Sequence, residues 1–149
     1  MIRVTTSSVI EAPAETVWTA IRGFNTLPEW LPGITASQIE GGSDPDRLGC
    51  IRELTLANGG RLREQMVGFS DADRSVAYTI LICPLPLQNY VSTLRLLPVT
   101  DGARSFIEWT AEFDVSAEHE ADMRRVIGQD IHQAGFDSLK RRFGGGAAA

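Results

Sequence analysis

Three polar side chains near the middle of the chain have the types and spacing to do chemistry. In GCIRELTL, residues 49–56, strand alternation puts Cys50, Arg52, Leu54 and Leu56 on one face and Ile51, Glu53 and Thr55 on the other. Leu54 and Leu56 choose the interior, so Arg52 goes inward with them. In RLREQMVGF, residues 61–69, Glu64 shares a face with Met66. The NGG between these runs signals a hairpin, which sets Arg52 and Glu64 nearly opposite each other on neighbouring strands. Such a pair can bind a ligand carboxylate or enolate through Arg52, with Glu64 orienting it or acting as a base. It can equally be an internal salt bridge that organises a wall, because removing one member of a buried pair typically costs about 3–5 kcal/mol. Tyr78 is the third group. It falls on an inward register with Ile80, Ile82, Tyr90 and Ser92, and each tyrosine offers an apolar ring with one orienting hydroxyl.

These groups need a sheet to hold them, and the rest of the chain supplies one. RVTTSSVIEA alternates, with Val4, Thr6, Ser8 and Ile10 on one face. Pro13 suits a helix start, Val17, Trp18 and Ile21 give that helix an apolar side, and Gly23 fits its stop. Asn25 is placed to cap a second short helix that Pro32 ends, and Trp18 and Trp30 pack this helical pair. Strands are expected near 34–41, 48–57, 61–70, 75–83, 89–98 and 103–115, separated by turns at GGSDPDRLG, NGG, DADR and TDGA. Trp109 shares a face with Ile107, Ala111 and Phe113 and is expected in the floor of any cavity. Ser116 is placed to cap a long final helix that ends in Lys140, Arg141 and Arg142. Its stripe of Ile127, Ile131 and Gly135 faces the sheet, with Asp130 and His132 flanking it towards solvent. Gly135 either leaves room for a ligand beneath the helix or permits close packing. Strands followed by a helix imply an α+β fold: a seven-stranded curved antiparallel sheet with the helix on one face. One helix cannot fill the whole concave side of such a sheet. A single unit over 1–143 and a flexible tail at 144–149 are expected.

Composition narrows the function. The net charge of −5, from 14 Lys+Arg against 19 Asp+Glu, disfavours nucleic acid and anionic membrane surfaces. No apolar run is long enough to span a membrane, and the first residues lack a signal-peptide layout. Cys50 and Cys83 make neither a metal pattern nor a disulfide framework, and His119 and His132 are far apart, so no metal or other cofactor is expected and a reduced, cytoplasmic setting is. The connection CPLPL, residues 83–87, is unlike the other turns: two prolines bracket a leucine in a stiff apolar loop.

Four stretches carry a resemblance: VIEAPAETVWTAIRGFNTLPEWLPGI, GCIRELTLANGGRLREQMV, AYTILICPLPLQNYVSTLRLLP and IEWTAEF. They resemble the polyketide cyclase/dehydrase branch of the SRPBCC (START and birch-pollen-allergen) superfamily, to which the plant abscisic acid receptors also belong. The resemblance covers roughly residues 1 to 143. It implies a helix-grip fold, in which the sheet wraps a long C-terminal helix around a hollow that takes sterols, lipids, hormones or polyketides. It also implies that ANGG, residues 57–60, matches the gate of the receptors' pocket and that the 83–89 loop matches the opposing latch. Where the receptors' latch is polar and basic, this chain has Pro84, Leu85 and Pro86.

Three functions follow from these readings. The first is binding of a small hydrophobic molecule in an internal cavity lined by Arg52, Leu54, Leu56, Glu64, Met66, Tyr78, Ile80, Ile82, Leu85, Leu87, Tyr90, Ser92, Trp109, Ile127, Ile131 and Gly135. The second is a polyketide cyclase, aromatase or dehydratase using Arg52, Glu64 and Tyr78. The third is a ligand-gated interaction module. The protein is expected to be a monomer or a homodimer.

Overall fold

The computed structural model describes residues 1–143, and the tail expected at 144–149 lies outside them. Seven strands form one antiparallel sheet: β1 (Ile2–Ile10), β2 (Ile34–Ile39), β3 (Ile51–Leu56), β4 (Arg61–Ser70), β5 (Ser75–Ile82), β6 (Gln88–Val99) and β7 (Arg104–Asp114). Their spatial order is β1-β7-β6-β5-β4-β3-β2, so sequential hairpins build the sheet from β2 to β7 and β1 closes on β7. Register shifts interrupt the β2–β3, β4–β5 and β6–β7 ladders. Each adds a residue to one side of a pair, which bends the strand and curls the sheet.

The first helix, α1 (Ala14–Ile21), buries Ala14, Val17, Trp18 and Ile21. Trp18 stacks on Phe69 and its indole N–H donates to Asp71 in the β4–β5 turn, which also accepts two bonds from Arg22. This anchors the helix over one end of the sheet. The stop at Gly23 has a different cause from the one expected. Its backbone is not left-handed; instead the Thr26 hydroxyl sits 2.6 Å from where a Cβ would be. The second helix is a single tight 3₁₀ turn, Leu27–Glu29, and Asn25 does not cap it. The Asn25 side chain instead accepts a hydrogen bond from Ser37 on β2.

The final helix runs from a 3₁₀ turn at Ala117–His119 through α2 (Glu120–Arg125), a π-helical segment at Val126–Gln133, and α3 (Ala134–Phe143). The Ser116 hydroxyl makes no capping bond; its carbonyl closes the first turn with the His119 N–H. In the π segment the hydrogen bonds lengthen, and the Ala134 N–H reaches back to the Gln129 carbonyl. This changes which residues face the sheet. Ile127 and His132, five apart, are both buried, whereas Ile131 is half-buried and Asp130 exposed. His132 is therefore not a solvent-facing flank residue but lies in the core at 0% exposure. A second correction falls on Ile82. The β4–β5 register slips between Arg63 and Glu64, and Ile82 turns outward to 54% exposure.

The face of the final helix that carries Gly128 and Gly135 packs tightly. A Cβ on Gly128 would meet Val4 of β1, and one on Gly135 would lie 2.9 Å from Leu31, 3.1 Å from Trp30 and 3.3 Å from Trp109. Gly135 thus permits close packing and leaves no room beneath the helix.

Candidate functional site

Between the first half of the final helix and strands β3, β4 and β5 the sheet and helix do not meet, and a cavity of about 540 Å³ remains. Leu54 and Leu56 of β3, Leu62 and Glu64 of β4, and Tyr78 and Ile80 of β5 form its sheet wall. Tyr90 and Trp109 lie deeper, and Val126, Ile127, Asp130 and Ile131 face it from the helix. Five of the residues expected to line it stand elsewhere. Arg52 borders a separate void of about 20 Å³ beneath the short helices, Ile82 points outward, and Met66, Ser92 and Gly135 are buried behind the wall. Leu62, Val126 and Cys83 line the cavity without having been singled out. Leu62 follows from its pairing with Leu54, and Cys83 from the slip that turns Ile82 outward.

Two loops close one end. Ala57 and Asn58 of the β3–β4 turn and Cys83, Pro84, Leu85 and Leu87 of the β5–β6 connection all line the cavity. A Cβ built on Gly60 would lie 3.8 Å from Pro84, so the loops approach each other directly. Each ties part of its backbone internally. The Gly60 N–H donates to Asn58 Oδ1, the Leu85 N–H to Cys83 Sγ, and the Leu87 N–H to the Leu85 carbonyl. Pro84 and Pro86 have no N–H to satisfy. A greasy loop at the rim of an apolar space thus has few donors to strand, the physical reason such a sequence is tolerated between two strands.

Arg52 and Glu64 are paired across β3 and β4, with both groups at least 95% buried: Arg52 at 4% exposure and Glu64 at 5%. Arg52 Nε and Nη2 both donate to Glu64 Oε1, at 2.9 and 2.6 Å, and Nη1 donates to the Phe24 carbonyl at 2.7 Å. The guanidinium carbon lies 3.9 Å from the Phe24 ring centroid and 4.9 Å from that of Tyr78, the two rings meeting it from adjoining sides. It is used up in holding the wall. Burial pushes the Glu64 carboxyl above the usual carboxylate range, and Arg52 holds part of that rise back.

The floor is a short polar chain. The Trp109 indole N–H is shared between Ser92 Oγ at 2.9 Å and the Tyr78 hydroxyl at 3.2 Å, and Ser92 Oγ donates to the Thr110 carbonyl. Burial pushes the Tyr78 phenol up to about 12, with the nearby Glu64 adding to the rise, and burial likewise pushes Tyr90 well above its ordinary value. Both are neutral phenols at neutral pH. Behind the floor, the His132 ring stacks on Trp109 with centroids 4.4 Å apart. Its Nδ1 shares a hydrogen bond with Thr6 Oγ1, whereas Nε2 is buried with no partner among the described residues. Burial lowers the imidazole from 6.5 to about 3. Among the described residues no three His, Cys, Asp or Glu side chains gather as a metal-ligand group. No helix there is long and apolar enough to cross a membrane.

Residues 1–144 match the family described as polyketide cyclase / dehydrase and lipid transport. The chain belongs to this family. The family likeness extends to solved structures. A protein from Thermobifida fusca superposes with a TM-score of 0.88 at 29% identity, covering 97% of this chain and 94% of that one. The protein XoxI from Bacillus cereus gives 0.87 at 30% identity, covering 97% of each. Norcoclaurine synthase from Thalictrum flavum, solved with dopamine and hydroxybenzaldehyde, gives 0.74 at 18% identity over 99% of this chain and 89% of that one, a likeness of fold alone. Among functionally described proteins, abscisic acid receptor PYL7 of Arabidopsis thaliana is 28% identical over 99 residues. The match takes in 64% of this chain and 46% of the receptor, so it spans less than half of that protein.

Proposed function

We propose that this protein binds a small, largely hydrophobic molecule in the space between sheet and helix, and that the 57–60 and 83–89 loops are the gate and latch of that site. The observation that carries the reading is the cavity itself. Its volume of about 540 Å³ falls in the range of small-molecule sites, and its walls are mostly Leu, Ile, Val, Pro and aromatic side chains. An apolar space of this size inside a tightly packed domain forfeits packing energy, which a ligand would restore. Membership of a family described by polyketide chemistry and lipid transport supports a ligand of this kind.

The test is native mass spectrometry of gently purified protein, repeated under denaturing conditions. A small molecule released unchanged is the expected result. A released molecule that the protein chemically alters on further incubation would instead favour catalysis, with the cavity-facing Glu64 carboxylate as the base. A second arm uses Ile131→Trp, which projects an indole into the space from the helix. The variant should stay folded while losing uptake of the neutral dye Nile red. Uptake unchanged by Ile131→Trp, or none by the unaltered protein, would sink the reading.

A further inference from the structure

We infer that the molecule held in this cavity meets Glu64 with a hydrogen-bond donor (a hydroxyl, an amide N–H or an ammonium) and carries no carboxylate at that end. The inference rests on the cavity being a ligand site, and deepens that reading to a chemical class.

The charge inventory of the wall is one-sided. Its ionisable carboxylates are Glu64 and Asp130, and no Lys, Arg or His belongs to it. Arg52, the one cation that strand alternation points inward, does not reach the space. Each of its three nitrogens donates to Glu64 or to the Phe24 carbonyl, and two aromatic rings lie against the guanidinium. An acidic ligand would find no cationic partner among the described residues of the wall unless it displaced Glu64 from a buried pair.

Glu64 is arranged to receive. Both Arg52 bonds converge on Oε1, and Oε2 accepts none from the described residues, although the side chain borders the cavity. Protonating this carboxyl would strand the guanidinium as an uncompensated buried cation, which opposes the upward push of burial on Glu64 and favours its acceptor form. A carboxylate oxygen with unused lone pairs in an apolar enclosure is costly until a donor reaches it, and a charge-assisted bond from a ligand O–H or N–H answers that need. A second anion placed there meets like charge in a mostly apolar surrounding that screens it less than bulk water does. Asp130 faces the rim and is already engaged outside by Arg125 at 2.8 Å. The deep acceptor, not the rim, therefore sets the preference.

The experiment is displacement of Nile red from the unmodified protein by four probes of one shape: naphthalene, naphthylmethanol, naphthylmethylamine and naphthoate, at low and high salt. The alcohol and the amine should compete at concentrations at least about tenfold below naphthoate. The gap should persist at high salt, because a buried charge is screened much less than the surface charge. It should also persist in Asp130→Asn, which removes the rim carboxylate and its bond to Arg125 but leaves Glu64 in place. Naphthoate competing as well as the alcohol, or a gap that vanishes with salt or in Asp130→Asn, overturns the inference while dye uptake leaves the cavity reading standing. Failure of the dye and all four probes to bind overturns both.

Discussion

At the scale of single residues, Arg52 and His132 are the two buried basic groups, and they are handled in opposite ways. Arg52 is kept charged by a dedicated partner. Arg52→Met should therefore destabilise the protein by about 3–5 kcal/mol, because it leaves Glu64 as an unpaired buried charge. Arg52→Met combined with Glu64→Leu should recover most of that loss, since two apolar side chains replace the whole pair. Urea denaturation of the three proteins measures this, and a double variant as unstable as the single one would mean the pair does more than neutralise itself. His132 is kept neutral by burial. The unfolded chain takes a proton at this imidazole near the ordinary 6.5, and the folded one only near about 3. Between those values the unfolded state binds the proton that the native state refuses, so stability is lost as the pH falls through that window. His132→Phe keeps a ring against Trp109 and removes the titration. Its stability should fall less steeply with acid, by up to about 1.4 kcal/mol per pH unit. Parallel acid dependence in the two proteins, measured by urea unfolding across the window, would assign the proton to another group.

At the scale of elements, the strands were legible because a period of two is a strong signal, and NGG pins the register that sets Arg52 opposite Glu64. What strand alternation could not supply is which member of the pair faces the cavity. That is decided by Phe24, from the segment after α1, whose carbonyl and ring draw the guanidinium away. Two of the misplaced residues, Ile82 and His132, share one cause, a local change of period. A register slip turns Ile82 out of the wall, and the π segment brings His132 under the helix in place of a surface position. Neither irregularity leaves a mark in residue type. Gly135 could be read two ways from sequence, and its surroundings decide between them. Ala is the better helix former by about 1 kcal/mol, yet a methyl there would press on Leu31, Trp30 and Trp109 at 2.9, 3.1 and 3.3 Å. Overpacking of this kind costs about 1–3 kcal/mol, so Gly135→Ala should lower the thermal midpoint. An unchanged or raised midpoint would show that the loop carrying Leu31 yields without cost.

At the scale of the whole molecule, the final helix is held unevenly. One face is packed against β1, β7 and the Trp30–Leu31 loop through Gly128, His132 and Gly135. Val126, Ile127, Asp130 and Ile131 instead border the cavity, one end of which is closed by two short loops. A molecule filling that space would touch helix, sheet and both loops at once, and would bind the folded chain but not the unfolded one. At a free concentration a hundred times its dissociation constant it should therefore raise the unfolding free energy by about 2.7 kcal/mol. The same binding should be visible locally. The amides of Gly60, Leu85 and Leu87 are tied only by short bonds within their own loops, to Asn58 Oδ1, Cys83 Sγ and the Leu85 carbonyl. Local bonds of this kind open without unfolding the domain, so these amides should exchange quickly in the free protein. With naphthylmethanol bound, gate and latch should close on it and the three amides should slow by more than the global stabilisation explains. Amides on the β1–β7 ladder, remote from the cavity, should slow only with the global term. Stabilisation without extra protection at those three amides would mean that the ligand sits beneath loops that never open and close around it, and that it enters by another route.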